Sequence, residues 1–235
     1  MHILTQEEGR VAYLHYGLFD RSGESIIDAQ DRSTGLLLSR LPPPPARILD
    51  VGAGLGTTLA TLTRIGYHAD GITPDEHQIA MIESRYADSV RVRCTRFEDL
   101  DATMRYDTIL FQESSQYIDS EALFAKAREL TSHLIVLDEF SLQPVDFEGA
   151  LRPLEGFLAA ADRNGFIKSA DIDVSRQAAP TIDYFLSRFP RYRATLFADL
   201  GIAAPQVDAL IASGERYRDL YARGVYGYRL LEFRR

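Results

Sequence analysis

A single cysteine, Cys94, in a chain of 235 residues excludes an internal disulfide framework and any metal site built from several thiolates. Tryptophan is absent, and Lys126 and Lys168 are the only lysines, so almost every basic residue is an arginine. No stretch approaches the ~18 consecutive apolar residues of a membrane span. The opening residues, MHILTQEEGR, lack the apolar run of a signal peptide. Positive charge is scarce: 26 Lys+Arg stand against 34 Asp+Glu, a net charge of -8. That balance argues against a nucleic-acid coat protein and against a polybasic membrane binder. What is present suits a globular fold. Apolar residues make up 46%, enough for a proper core, and charged residues an ordinary 26%. The length suggests one domain or one domain with an appendage. The expectation is a soluble, cytoplasmic protein with no membrane span and no nucleic-acid partner.

Four consecutive prolines, Pro42 to Pro45, cannot sit inside a helix or a central strand, so they form a stiff extended spacer. Residues 1–41 before it read as an N-terminal helical cap. Val11, Leu14 and Leu18 are spaced by helical turns and predict helix over 10–40, with Tyr13, His15, Tyr16 and Phe19 as an aromatic cluster. After the spacer, strand and helix patterns alternate. Strands are expected at 47–51, 68–73, 90–94, 106–112 and 133–137, and helices at 57–65, from Pro74 onward, at 120–132 and at 151–164. Such alternation predicts an α/β fold, a parallel sheet with helices on both faces. Two late strands, 166–174 and 225–233, bracket about fifty residues of helical pattern. The domain reading is therefore a cap at 1–41, an α/β core at 46–175, a helical lid at 176–224 and a closing core strand at 225–235. From Arg176 to Arg235, ten arginines face six acids, a locally basic region suited to an anionic small molecule or to a solvated helical surface.

The strongest motif is Ile48-Leu49-Asp50-Val51-Gly52-Ala53-Gly54-Leu55-Gly56-Thr57. A buried strand runs into a glycine turn and then a helix. Gly52 and Gly54 permit unusual φ values and leave room for a ligand to touch the backbone. The ligand then lies at the carboxyl edge of the sheet, where open α/β folds bind theirs. The dinucleotide fingerprint wants a glycine at position 57, which is threonine here. Asp50 would repel a pyrophosphate but would hold an ammonium group or orient the loop.

Asp50, Gly52, Gly54 and Gly56 in this setting resemble the class I S-adenosylmethionine-dependent methyltransferases, and the resemblance extends over roughly 47–140. It implies a Rossmann-like sheet whose last strand runs antiparallel. It also implies S-adenosylmethionine as cofactor, S-adenosylhomocysteine as product, and no metal. The segment Gly71-Ile72-Thr73-Pro74-Asp75-Glu76-His77-Gln78 is similar to that of small-molecule and cyclopropane-fatty-acid-synthase-like members. The likeness assigns Ala53 with the glycines to the amino-acid end of the cofactor, Thr73, Pro74 and Gln78 to the ribose, and Phe97 and Glu98 to the adenine. Tyr16 would fold over the methionine end, and Gln112 would touch the cofactor from the end of strand four.

Methyl transfer from a sulfonium needs alignment, exclusion of water and, for an oxygen or protonated-amine acceptor, a proton acceptor. Relatives often carry Glu-Ser followed by histidines after strand four; here Glu113-Ser114-Ser115 is followed by Gln116 and Tyr117. Tyr117, Glu139 and His15 are the catalytic candidates, and Glu113, Asp138, Tyr184 and Tyr221 the acceptor-binding ones. Asp138 and Glu139 are adjacent on a strand, so one of them is expected to face the pocket. His133 lies far from that edge and reads as structural, and Cys94 reads as a buried strand residue. The main expectation is a methyltransferase acting on a small-molecule acceptor, a biosynthetic intermediate. The rivals are a catalytically silent cofactor-binding subunit and an NAD(P)-dependent dehydrogenase. A homodimer is one assembly the sequence leaves open.

Overall fold

A computed structural model describes all residues, 1–235. Seven strands form one sheet in the order β3-β2-β1-β4-β5-β7-β6. They are β1 (Arg47–Val51), β2 (His68–Thr73), β3 (Arg91–Cys94), β4 (Thr108–Gln112), β5 (His133–Ser141), β6 (Ile167–Asp173) and β7 (Tyr226–Arg234). The first five run parallel, and β7 pairs antiparallel with both β5 and β6. The helices are α1 (His2–Glu8), α2 (Ile26–Leu38), α3 (Thr57–Arg64), α4 (Glu76–Tyr86), α5 (Ser120–Leu130), α6 (Leu154–Arg163), α7 (Ser175–Ala178), α8 (Pro180–Leu186), α9 (Arg193–Leu200) and α10 (Ala204–Ala222).

The sheet is covered on both faces, as continuous apolar strands require. Leu49, Val51, Ile109, Phe111 and Phe140 pack on one side with Phe124 and Phe157 of α5 and α6. Ile48, Leu110, Ile135 and Leu137 pack on the other with Leu37 of α2 and Leu59 of α3. All nine residues of β5 are buried, and the strand runs on through Asp138 and Glu139 to Ser141, past the expected end at 137. Strand order reverses between β1 and β4, so a crevice opens outside their carboxyl ends.

Three expectations change. Residues 10–25 are not helical: α1 ends at Glu8 and α2 starts at Ile26. The chain between them is an irregular strap. Gly17 lies so close to α2 that an added Cβ would sit 2.6 Å from the Ala29 Cβ. The strap is tied by Tyr13 Oη donating to Asp31 (2.8 Å), Gln30 Nε2 donating to the His15 carbonyl (2.6 Å) and the Gly17 N–H donating to Thr181 Oγ1 (3.1 Å). The second change is that Pro74 precedes its helix. Asp75 is the cap of α4, accepting from the backbone N–H groups of His77 (2.8 Å) and Gln78 (3.3 Å). The third is that Cys94 is exposed, because β3 is the outermost strand on its side of the sheet.

The residues between β6 and β7 fold as the helices α7 to α10. The N-terminal helix joins this layer rather than the core. Ile3 packs with Leu196 and Val207, and Glu7 accepts from Tyr192 Oη (2.6 Å) and Arg188 Nε (3.0 Å). No helix is long and apolar enough to cross a membrane.

Candidate functional site

A cleft of about 540 Å³ opens at the strand-order reversal. Its floor is the turn after β1. Gly52 has φ 75° and Gly54 φ 56°, conformations that a side chain would strain. The Gly52 and Ala53 N–H groups donate to the Ile72 carbonyl (2.9 and 3.0 Å), so the end of β2 fixes the turn. Behind it, Ser114 Oγ donates to the Val51 carbonyl (2.5 Å). Gly56 is not among the lining residues. Its φ of 77° starts α3, and a Cβ there would meet Ile82 and Tyr86 at 3.0–3.2 Å.

Asp50 is 3% exposed and lines the cleft. Its Oδ2 is buried with no hydrogen-bond partner. Burial alone raises its carboxyl to about 7. Further along the cleft, Thr73 Oγ1 donates to Gln78 Oε1 (2.8 Å), leaving the Gln78 amide N–H groups free. Phe97 lies edge-on to Phe111 at 5.2 Å, and Glu98 pairs with Arg96 (2.9 Å) at the exposed rim. Gln112 accepts from Thr58 Oγ1 (3.3 Å).

The strap forms the opposite wall through residues 12–15. Thr57 Oγ1 donates to the Ala12 carbonyl and pins it over the glycine turn. His15 lines the cleft, but both ring nitrogens are engaged: Nδ1 lies 2.9 Å from the Tyr16 carbonyl and Nε2 3.0 Å from Thr34 Oγ1. The carbonyl can only accept, so Nδ1 carries the hydrogen and Nε2 accepts from the threonine. Burial pushes His15 down to about 4 and keeps it neutral. Tyr16 itself does not line the cleft; its ring stacks on Tyr228 at 5.7 Å.

The acids at the sheet edge divide clearly. Glu113 lines the cleft. Asp138 and Glu139 do not; they point to opposite sides of β5. Asp138 accepts from Ser115 Oγ (2.6 Å), and Glu139 accepts from Tyr221 Oη (2.7 Å) on α10. Burial raises Glu139 to about 7. Tyr117 lines the cleft mouth and is 79% exposed. Tyr221 sits behind Glu139 rather than in the cleft. Tyr184 is brought nowhere near it: its Oη donates to Glu8 (2.9 Å) where α8 packs on α1. His133 is bonded to Thr108 (2.7 Å) and Glu232 (3.1 Å), away from the cleft.

Ser114, Gln116, Arg96, Thr58 and Leu14 line the cleft without having been singled out from the sequence. Ser114 and Gln116 flank residues that were, so the signal lay beside them. Leu14 carried none, because its spacing read as a helix face. No group of three or more metal-ligating side chains is brought together.

No family model matches the chain. It is 33% identical over 81 residues to a ubiquinone biosynthesis O-methyltransferase from Nitrobacter winogradskyi, covering 33% of this chain and 31% of that protein. The match thus spans about a third of the relative's length. Two solved structures share nearly the whole fold. A cyclopropane synthase from Mycobacterium tuberculosis superposes with a TM-score of 0.83 at 16% identity, over 95% of this chain and 90% of that one. A geranyl diphosphate C-methyltransferase from Streptomyces coelicolor, solved with Mg2+, geranyl diphosphate and S-adenosylhomocysteine, gives 0.70 at 17% identity, over 100% and 95%. Together with a seven-stranded sheet whose last strand is antiparallel, these likenesses give the chain the Rossmann-like fold of the class I S-adenosylmethionine-dependent methyltransferases.

Proposed function

We propose that the protein is a cytoplasmic methyltransferase that uses S-adenosylmethionine to methylate a small-molecule acceptor. The observation that carries this reading is the Asp50 carboxyl, buried in the cleft beside the glycine turn with an unpartnered oxygen. An unpaired buried carboxylate is costly, and an ammonium group supplies the charge and donors it lacks. The amino-acid end of S-adenosylmethionine brings such a group; a dinucleotide pyrophosphate brings like charge instead. When bound, the cofactor supplies an electrophilic methyl group on a sulfonium and leaves as S-adenosylhomocysteine.

In this reading Asp50 and the backbone of Gly52, Ala53 and Gly54 hold the amino-acid end. The free Gln78 amide, with Thr73 and Pro74, takes the ribose. Phe97 and Glu98 flank the adenine, and Gln112 closes the inner wall. Gly56 and Tyr16 act from outside the cleft, by fixing the start of α3 and by docking the strap. The acceptor enters between Tyr117 and Leu14, both exposed at the mouth. Its proton goes to an acid at the sheet edge. His15 serves the strap, since both its nitrogens are in use. The net charge of -8 disfavours a nucleic-acid acceptor.

Isothermal titration tests the cofactor. S-adenosylhomocysteine is expected to bind one site per chain with micromolar affinity, and NADH and NADPH not to bind. Tight NADPH binding with no heat from S-adenosylhomocysteine contradicts the reading.

A further inference from the structure

We infer that Glu113 takes the proton from the methyl acceptor, and that the acceptor is an amine that enters as a cation. This rests on the methyltransferase reading. Three acids meet at the carboxyl ends of β4 and β5, but their surroundings give them different capacities. Asp138 is fully engaged by Ser115 Oγ (2.6 Å), the Gln116 N–H (3.2 Å) and the Glu139 N–H (2.9 Å). Glu139 lies behind, under α10, with Tyr221 on its Oε1. Only Glu113 reaches the cleft.

Its placement is enforced. Oε1 accepts from the Tyr16 N–H (2.6 Å) on the strap and from Tyr228 Oη (2.6 Å) on β7. Oε2 has no protein donor. The residue takes φ 55°, which a side chain adopts only when its surroundings hold it there. A second observation points to a cation. The cleft also holds the orphaned Asp50 Oδ2, and its one lining arginine, Arg96, is already paired with Glu98 (2.9 Å). Two buried acids therefore face the cavity without a cationic partner, whereas Asp75, also in the lining, is exposed and caps α4. The cofactor's ammonium matches Asp50, and Glu113, one residue beyond the end of β4, is left for the acceptor.

Burial first, then the Glu139 charge, raises the Glu113 carboxyl well above the usual carboxylate range, while Tyr228 and the Tyr16 N–H pull it back. The groups facing it are Asp138 and Glu139 from β5, Tyr228 from β7, Tyr16 from the strap and Tyr117 at the mouth; Arg152 faces Asp138. A hydroxyl acceptor brings no charge to ionise such an acid. An ammonium does: the carboxyl proton leaves to water as the cation binds, and the carboxylate so formed, still made basic by its burial, takes a proton from nitrogen. The N–H bond breaks, the electron pair stays on nitrogen as the nucleophilic lone pair, and the proton moves to Oε2 and later to water.

The test needs no knowledge of the natural acceptor. Protein labelled with 13C-glutamate and saturated with S-adenosylhomocysteine is titrated with pH, the Glu113 carboxyl signal being identified by its loss in Glu113→Gln. Methylammonium chloride is expected to lower the Glu113 midpoint by about 1–3 pH units; equal sodium chloride or methanol is expected to leave it in place. A midpoint that is the same in all three overturns the inference. Tyr228→Phe, which keeps the ring and removes the donor, raises the midpoint if Oε1 is held as described and leaves it unmoved if Tyr228 only packs. Failure of S-adenosylhomocysteine to bind counts against the methyltransferase reading alone, since the same titration without it still reports on Glu113.

Discussion

At pH 8, Asp50→Asn melts higher than the wild type and binds S-adenosylhomocysteine about 30-fold more weakly or worse. Both effects have one cause. The Asp50 carboxyl is buried and held at about 7, well above the ordinary 3.8 of an aspartate. A carboxyl raised in the folded state destabilises that state once the unfolded chain ionises. The penalty is absent below the unfolded value, grows through the interval up to about 7 and is constant above it. It amounts to up to about 4 kcal/mol at pH 8. Asparagine removes the charge but leaves an unsatisfied amide donor costing about 1–3 kcal/mol. The net gain is about 1–3 kcal/mol, a rise of about 2–12 °C in melting temperature. At pH 4 the gain disappears. The same carboxylate is what an ammonium ligand pairs with, so wild-type affinity falls as pH drops below 7 and binding there releases a proton. Scanning calorimetry at pH 4 and pH 8, with titrations at the same values, checks both halves. A variant that binds normally removes Asp50 from the site.

The two glycines at the floor of the cleft are expected to fail in different ways. A Cβ at Gly52 would lie 2.5 Å from the Ser114 Cβ, at φ 75°. Gly52→Ala therefore pushes β1 and β4 apart where they meet, and is expected to cost about 3 kcal/mol or more in urea unfolding from overpacking and left-handed strain together. At Gly54 the nearest atoms are the Gly52 carbonyl oxygen and Leu14 Cδ1, both 3.8 Å away. Gly54→Val fits the fold at the strain cost of about 1–2 kcal/mol. Its methyl groups occupy the space between turn and strap, so cofactor affinity falls at least ~100-fold, two decades in Kd. A folded Gly54→Val protein with unchanged S-adenosylhomocysteine affinity contradicts the role given to the turn.

Much of the architecture was legible because local pattern and tertiary burial agree there. The runs at 47–51 and 68–73 are strands with those bounds, and the glycine turn between β1 and α3 lies at the strand-order reversal. The strap was not legible. Val11, Leu14 and Leu18 have helical spacing, yet the chain is held extended by partners distant in sequence, such as Asp31 for Tyr13 and Thr34 for His15. Cys94 misled for a related reason: alternation marks a strand but does not tell an edge strand from a central one. At the site, the motif pointed to residues that share one cleft, from Asp50 to Gln112. The acids did not sort themselves from sequence. Which of Glu113, Asp138 and Glu139 faces the cavity depends on the positive φ of Glu113 and on α10 covering Glu139, neither of which has a local signature.

A crystal structure with S-adenosylhomocysteine tests the account at its centre. The predicted result is the homocysteine ammonium at about 2.7–2.9 Å from Asp50 Oδ2, with its chain against the backbone of Gly52 and Gly54. A ligand whose amino-acid end lies elsewhere, with the Asp50 oxygen still unpartnered, contradicts it.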